Sequence, residues 1–144
     1  MILTLFFVVI TCAALYRRPD WVAGLLLAAL VLATVLGWVT PATRLVGVAA
    51  LIEALLSIGL LFVWTIYHSQ RARLVGSIAL MKGAWCVLMA SNGMDWLTFA
   101  IVHNSAFVVQ VIIAGGCADG LVAFIDRIDP FAVRQRGGRV DQLG

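Results

Sequence analysis

Two apolar runs, Leu45–Tyr67 and Leu74–Ser91, are joined by the short basic break His68–Arg73, and each holds one full charge in its interior, Glu53 in the first and Lys82 in the second. As helices rising ~1.5 Å per residue they would be about 34 and 27 Å long, close to the ~30 Å hydrocarbon core of a bilayer. An ionised side chain at that depth is costly, so it normally faces protein or water and often faces an opposite charge. The stretch therefore predicts a membrane hairpin with an internal acid–base pair.

Composition points the same way. Of 144 residues, 63% are hydrophobic and 12% charged, whereas soluble domains are about half apolar and about a quarter charged. Too little polar surface remains to cover one soluble core. The expected fold class is an all-α, polytopic integral membrane helix bundle of five spans, near 1–16, 21–39, 45–67, 74–91 and 96–125. Residues 1–126 form the transmembrane domain and 127–144 a polar cytoplasmic tail. A four-span version, with Met1–Tyr16 interfacial or removed, is the alternative. That first run would be only about 24 Å long, and its basic residues, Arg17 and Arg18, follow the apolar stretch, where a cleaved signal would carry them before it.

Orientation follows from the arginines. With the amino terminus outside, Arg17, Arg18, Arg71, Arg73, Arg127, Arg134, Arg136 and Arg139 fall inside and only Arg44 outside, the asymmetry of the positive-inside rule. Tyr16, Trp21, Trp38, Trp64, Tyr67 and Trp96 fall at span ends, where aromatic rings prefer the interface, and Trp85 alone does not. Arg17, Arg18, Arg71, Arg73, Arg134 and Arg136 are expected to contact anionic lipid head groups. The net charge of +3 thus carries no nucleic-acid signal. The expected location is an integral position in a bacterial inner membrane.

Helical depth selects the polar residues that could meet. Glu53 lies roughly 12 Å below the outer end of its run, Lys82 roughly 13 Å, and His103 and Asn104 roughly 10 to 12 Å in from Trp96. These four are expected to share one layer, with Glu53 and Lys82 paired and His103 or Asn104 close by. Ala50, Glu53, Ser57, Leu60 and Trp64 share one helical stripe, and Ala79, Lys82, Cys86 and Met89 another. Such a pair either fixes which helices pack, and at what depth, or makes Glu53 a titrating group in an ion or proton path. Gln110 and Ser77 are read as ordinary interhelical hydrogen bonders. Small residues at Ala29, Ala33 and Gly37, and at Gly116 and Gly120, are expected to let helices approach closely. Gly115-Gly116 and Gly120, with Asp119 between them, suggest a bend or a helix end inside the last run.

Other chemistry finds no foothold. The sequence has no GxGxxG, P-loop, HExxH or GxSxG pattern. Its three cysteines, Cys12, Cys86 and Cys117, lie in apolar segments without metal or redox spacing. Neither an enzyme nor a cofactor or metal site is expected. The chain resembles phage holins in size, in having several short spans and in ending with a charged tail, although Asp126, Asp129 and Asp141 mix acids among that tail's arginines. The resemblance is architectural and implies a self-associating permeabiliser of the inner membrane, working with its own copies or other membrane proteins. A single membrane glutamate in a short multi-span chain is also similar to the small multidrug resistance family, which implies proton-coupled transport through Glu53. That family carries its glutamate on the first helix, whereas Glu53 is on the third run and faces a lysine. A membrane anchor subunit of a larger complex is the third reading.

Overall fold

The chain folds entirely as helix wherever it forms regular structure in the described residues. The computed structural model describes residues 2–41, 44–93 and 95–128. Six helices follow in order: α1 (Ile2–Arg17), α2 (Trp21–Val39), α3 (Leu45–Tyr67), α4 (Gln70–Asn92), α5 (Trp96–Ala114) and α6 (Asp119–Ile128). The four from α2 to α5 are each long and apolar enough to cross a membrane. Large apolar side chains such as Val35, Ile58, Met81 and Ile101 stand exposed around the outside of the bundle. That is the pattern of a helical membrane bundle, whose outer surface is as apolar as its core.

Helix ends are set by local chemistry. Asp20 caps α2 by accepting the Val22 and Ala23 amide protons at 3.1 and 3.2 Å, and Asp95 caps α5 through Thr98 N–H at 3.0 Å. Each satisfies donors that a helix start leaves open. The break between α3 and α4 is narrower than the basic residues suggest. His68, in the left-handed region at φ 52°, ends α3, and Ser69 caps α4 through Ala72 N–H at 3.3 Å. The fourth helix therefore starts at Gln70 instead of Leu74: Arg71 and Arg73 sit in its first turn, with Ala72 between them and Val75 beyond them both buried.

The run 96–125 is two helices. α5 ends in a Schellman motif: Gly116 N–H donates to Ile113 O and Cys117 N–H to Ile112 O, both at 3.1 Å, with Gly116 at φ +74°. Only glycine takes that conformation without strain. α6 then continues to Ile128, and the rest of the expected tail, with Arg134 and Arg136, lies outside the described residues.

The closest helix pair is α3 with α4. A Cβ added at Gly76 would lie 3.1 Å from Leu60 Cβ, and one at Gly83 would lie 3.6 Å from both Glu53 Cβ and Ala50 O. The glycines that bring α3 and α4 together are thus on α4, while Gly115 at the end of α5 meets α1, where its Cβ would lie 3.3 Å from Ala14 Cβ. Gly116 terminates α5, and nothing lies within 4 Å of a Cβ built on Gly120, so no helix of this chain packs on that pair among the described residues. On α2, Ala29 packs against the core, Ala33 is exposed and Gly37 has open space beside it. α1 packs lengthwise on α2 and α5, burying Phe7, Thr11 and Ala14, with the Phe7 ring edge-on to Phe107 at 5.0 Å.

Candidate functional site

The close approach at Gly83 determines where the charges meet. It holds α3 and α4 near enough for the Lys82 ammonium to reach the Glu53 carboxylate at 2.5 Å, with Lys82 only 3% exposed and Glu53 7%. Lys82 Nζ also donates to Gln110 Oε1 at 3.1 Å and lies 5.1 Å from the centre of the Phe107 ring. Gln110, fully buried, donates in turn to Val75 O at 3.1 Å. The ammonium therefore has an opposite charge, a carbonyl oxygen and an aromatic face around it, the provisions a desolvated cation needs. Three helices are tied at this one junction.

His103 joins from α5. Its Nε2 is 3.6 Å from Glu53 Oε1, its Nδ1 lies 3.9 Å from Cys86 Sγ, and its ring stacks on Phe99 at 5.3 Å. Glu53 keeps its second oxygen, Oε2, buried and without a hydrogen-bond partner, as is the Ser57 hydroxyl one turn further along α3. The Trp85 indole N–H is buried and unpartnered too. Among the described residues, no group of three or more His, Cys, Asp and Glu side chains is placed to hold a metal ion.

Of the four residues expected in one polar layer, the structure brings together Glu53, Lys82 and His103. Asn104 is on another face of α5. Residues 99, 103, 107, 110 and 114 follow helical spacing along the face that meets α3 and α4, and position 104 is about 100° further round. The residue that completes the junction is Gln110. It lies about a turn and a half deeper than the depth match allows, and the four-carbon lysine stem spans the difference. Helical spacing from His103 was the signal that could have found it.

No protein-family model matches the chain, and no curated protein or solved structure is similar to it.

Asn104 instead lines a cavity of about 370 Å³, with Thr4 from α1, Ala33 and Gly37 from α2, Ala49 and Ile52 from α3, and Phe99 from α5. Neither Asn104 nor Thr4 makes a side-chain hydrogen bond among the described residues. The cavity lies at the end of the bundle where α2 stops and α3 starts. The opposite end collects the arginines. Arg71 Nη2 contacts Asp20 Oδ2 at 2.7 Å and Arg71 Nη1 donates to Ala114 O at 3.3 Å, tying α4 to the starts and ends of its neighbours. Arg18 pairs with Asp119, Gln70 donates to Asp126 at 3.3 Å, and Arg73 lies over the Trp64 ring at 5.2 Å. Arg17 is exposed. Of the six arginines expected at lipid head groups, Arg18, Arg71 and Arg73 therefore also make contacts within the chain.

Proposed function

We propose that this is a non-enzymatic integral membrane protein that works by associating with further membrane helices, its own copies above all, in the manner of a holin-like permeabiliser. The observation that carries the reading is the cavity at the end of the bundle away from Arg18, Arg71 and Arg73. It is walled by Ala33, Gly37 and Ala49 and holds the unpartnered side chains of Asn104 and Thr4. A carboxamide in hydrocarbon without a partner is costly, and small residues around it allow another backbone to come close enough to satisfy it. The Glu53–Lys82–Gln110 junction serves in this reading as an internal staple, fixing the register in which α3, α4 and α5 present that surface.

The test is photo-crosslinking in native membranes together with membrane potential. A photoreactive residue at Ala33 or Gly37 should give dimers and larger adducts, whereas one at lipid-facing Ile58 should give few. Induced expression should collapse the potential and halt growth abruptly. Asn104→Leu, inserted at normal abundance, should lose both effects. Undiminished depolarisation by that variant would remove the reading.

A second reading, a small proton- or ion-coupled transporter, is favoured by one specific feature. Glu53 Oε2 is buried and unpartnered, and His103 stands 3.6 Å from Oε1 while stacking on Phe99, which itself lines the cavity. An imidazole beside a buried carboxylate, stacked on a ring of the cavity wall, is a group that could pass a proton. Here Glu53→Gln would abolish proton-driven uptake with insertion intact.

A further inference from the structure

Helix α6 is tied at two points, and both lie at the same end of the bundle. Asp119 in its first turn pairs with Arg18, which immediately follows α1, and Asp126 near its last turn accepts from Gln70, the first residue of α4. A helix fastened at both ends to one rim runs across the base of the bundle instead of along it. The seven helical steps from Asp119 to Asp126 span about 10 Å, roughly the distance between neighbouring helix axes.

Around its axis α6 presents three sectors. Val122 and Ile125, partly buried, and Asp126 turn to the bundle. Ala123 and Arg127, exposed, share a second side. Leu121, Phe124 and Ile128, at spacing i, i+3, i+7, form a third, and they are 56%, 59% and 62% exposed. Near the same end stand Tyr16 and Tyr67, 93% and 62% exposed.

We propose that α6 is an interfacial anchor, lying in the plane of the membrane with Leu121, Phe124 and Ile128 inserted at the boundary between head groups and acyl chains. The inference rests on the membrane reading of α2 to α5, though not on their number or orientation. Its occupant is lipid because α6 is tied to the start of α4, a helix long and apolar enough to cross a membrane, at the bundle end that also exposes Tyr16 and Tyr67. Its two acids are already engaged by Arg18 and Gln70, leaving Arg127 as the charge on the water side. That division, apolar toward the bilayer and basic toward water, is the signature of a helix buried about 5–10 Å into the interface. The Schellman turn at Gly116 supplies the change of direction from α5.

The experiment uses the full chain in vesicles of phosphatidylcholine and phosphatidylglycerol. Cys12 and Cys117 are replaced by serine, and the buried Cys86 is kept. Nitroxide labels are placed singly at Leu121, Phe124, Ile128, Ala123 and Arg127, all exposed, so each label adds little strain. Accessibility to dissolved oxygen and to a water-soluble nickel chelate is then read by power saturation. The first three sites should show a several-fold higher oxygen-to-nickel ratio than Ala123 and Arg127, repeating with the helical period. Equal ratios at all five would place the face in water and overturn the proposal. Low accessibility to both reagents at Leu121, Phe124 and Ile128 would mean that protein covers it, and would overturn the proposal equally. Asn104→Leu leaves these ratios unchanged, so failure of the association reading and failure of this one are separable.

Discussion

The two ends of the bundle are held together by different means. At the arginine end the helix termini are cross-linked: Arg71 to Asp20 and to Ala114 O, Arg18 to Asp119, Gln70 to Asp126, Arg73 to Trp64. At the other end, among the described residues, no ion pair joins one helix to the next, and a cavity opens between α1, α2, α3 and α5. Charges at helix termini near water can be paired at little desolvation cost, so one end is laced that way. The other end depends on what happens a few turns below its surface. Glu53, Lys82 and His103 lie in that half, beneath the cavity, where they do the joining that the termini do not. A costly buried ion pair is therefore located in the half of the molecule that lacks inexpensive ones.

The largest test of that contrast removes the lysine. Lys82→Met leaves Glu53 buried without its cation and should cost about 3–5 kcal/mol of stability in detergent unfolding, as breaking a buried pair does. Hydrogen exchange should rise most in the cavity half, in the first turns of α3 and the last turns of α4, and least around Gln70–Gly76. Adding Glu53→Leu should restore most of the loss. Equal losses in the single and double variants would mean that the pair is not what joins this half.

Two glycines probe the same contrast by volume. Gly76, toward the arginine end, has Leu60 Cβ 3.1 Å from where its own Cβ would be, whereas Gly37, at the cavity end, has nothing within 4 Å. Gly76→Leu should cost about 1–3 kcal/mol through overpacking, while Gly37→Leu should cost nothing measurable to the monomer. If both variants unfold alike in a denaturant titration, the two ends do not differ in packing.

Much of this was legible in the sequence, though unevenly. The pairing of Glu53 with Lys82 was readable because two charges in apolar runs have few physical alternatives, and depth along a helix is simple arithmetic. His103 followed from the same arithmetic. Asn104 did not, because depth ignores the rotational angle that puts it on a different face. Gln110 was missed for the opposite reason: its depth was wrong for a Cα match but right for a lysine stem. The start of α4 at Gln70 was hidden by hydropathy, which treats Arg71 and Arg73 as a break although a capping serine precedes them. The cavity could not be read at all. Whether small residues such as Ala33 and Gly37 meet a neighbour or face open space depends on how far helices splay, and no local pattern encodes that.

The arginine end offers the finest test, since two of its ion pairs differ in burial. Arg71 and Asp20 are 17% and 27% exposed at their side chains, Arg18 and Asp119 43% and 49%. Arg71→Met removes a charged hydrogen bond to Asp20 and a second to Ala114 O, so a loss of about 1.5–3 kcal/mol is expected from the unfolding midpoint. Arg18→Met breaks a pair largely in solvent, and its stability should change by no more than about 0.5 kcal/mol. Its effect should appear instead in position. With Asp119 released, α6 keeps its hold on α4 through Asp126, the packing of Val122 on the core and the grip of its apolar face on lipid. Labels at Phe124 should then stay oxygen-accessible while the spread of label-to-label distances between α6 and the end of α1 widens. An unchanged distance distribution would show that the Arg18–Asp119 pair does not position α6, and that the Schellman turn at Gly116 alone sets its direction.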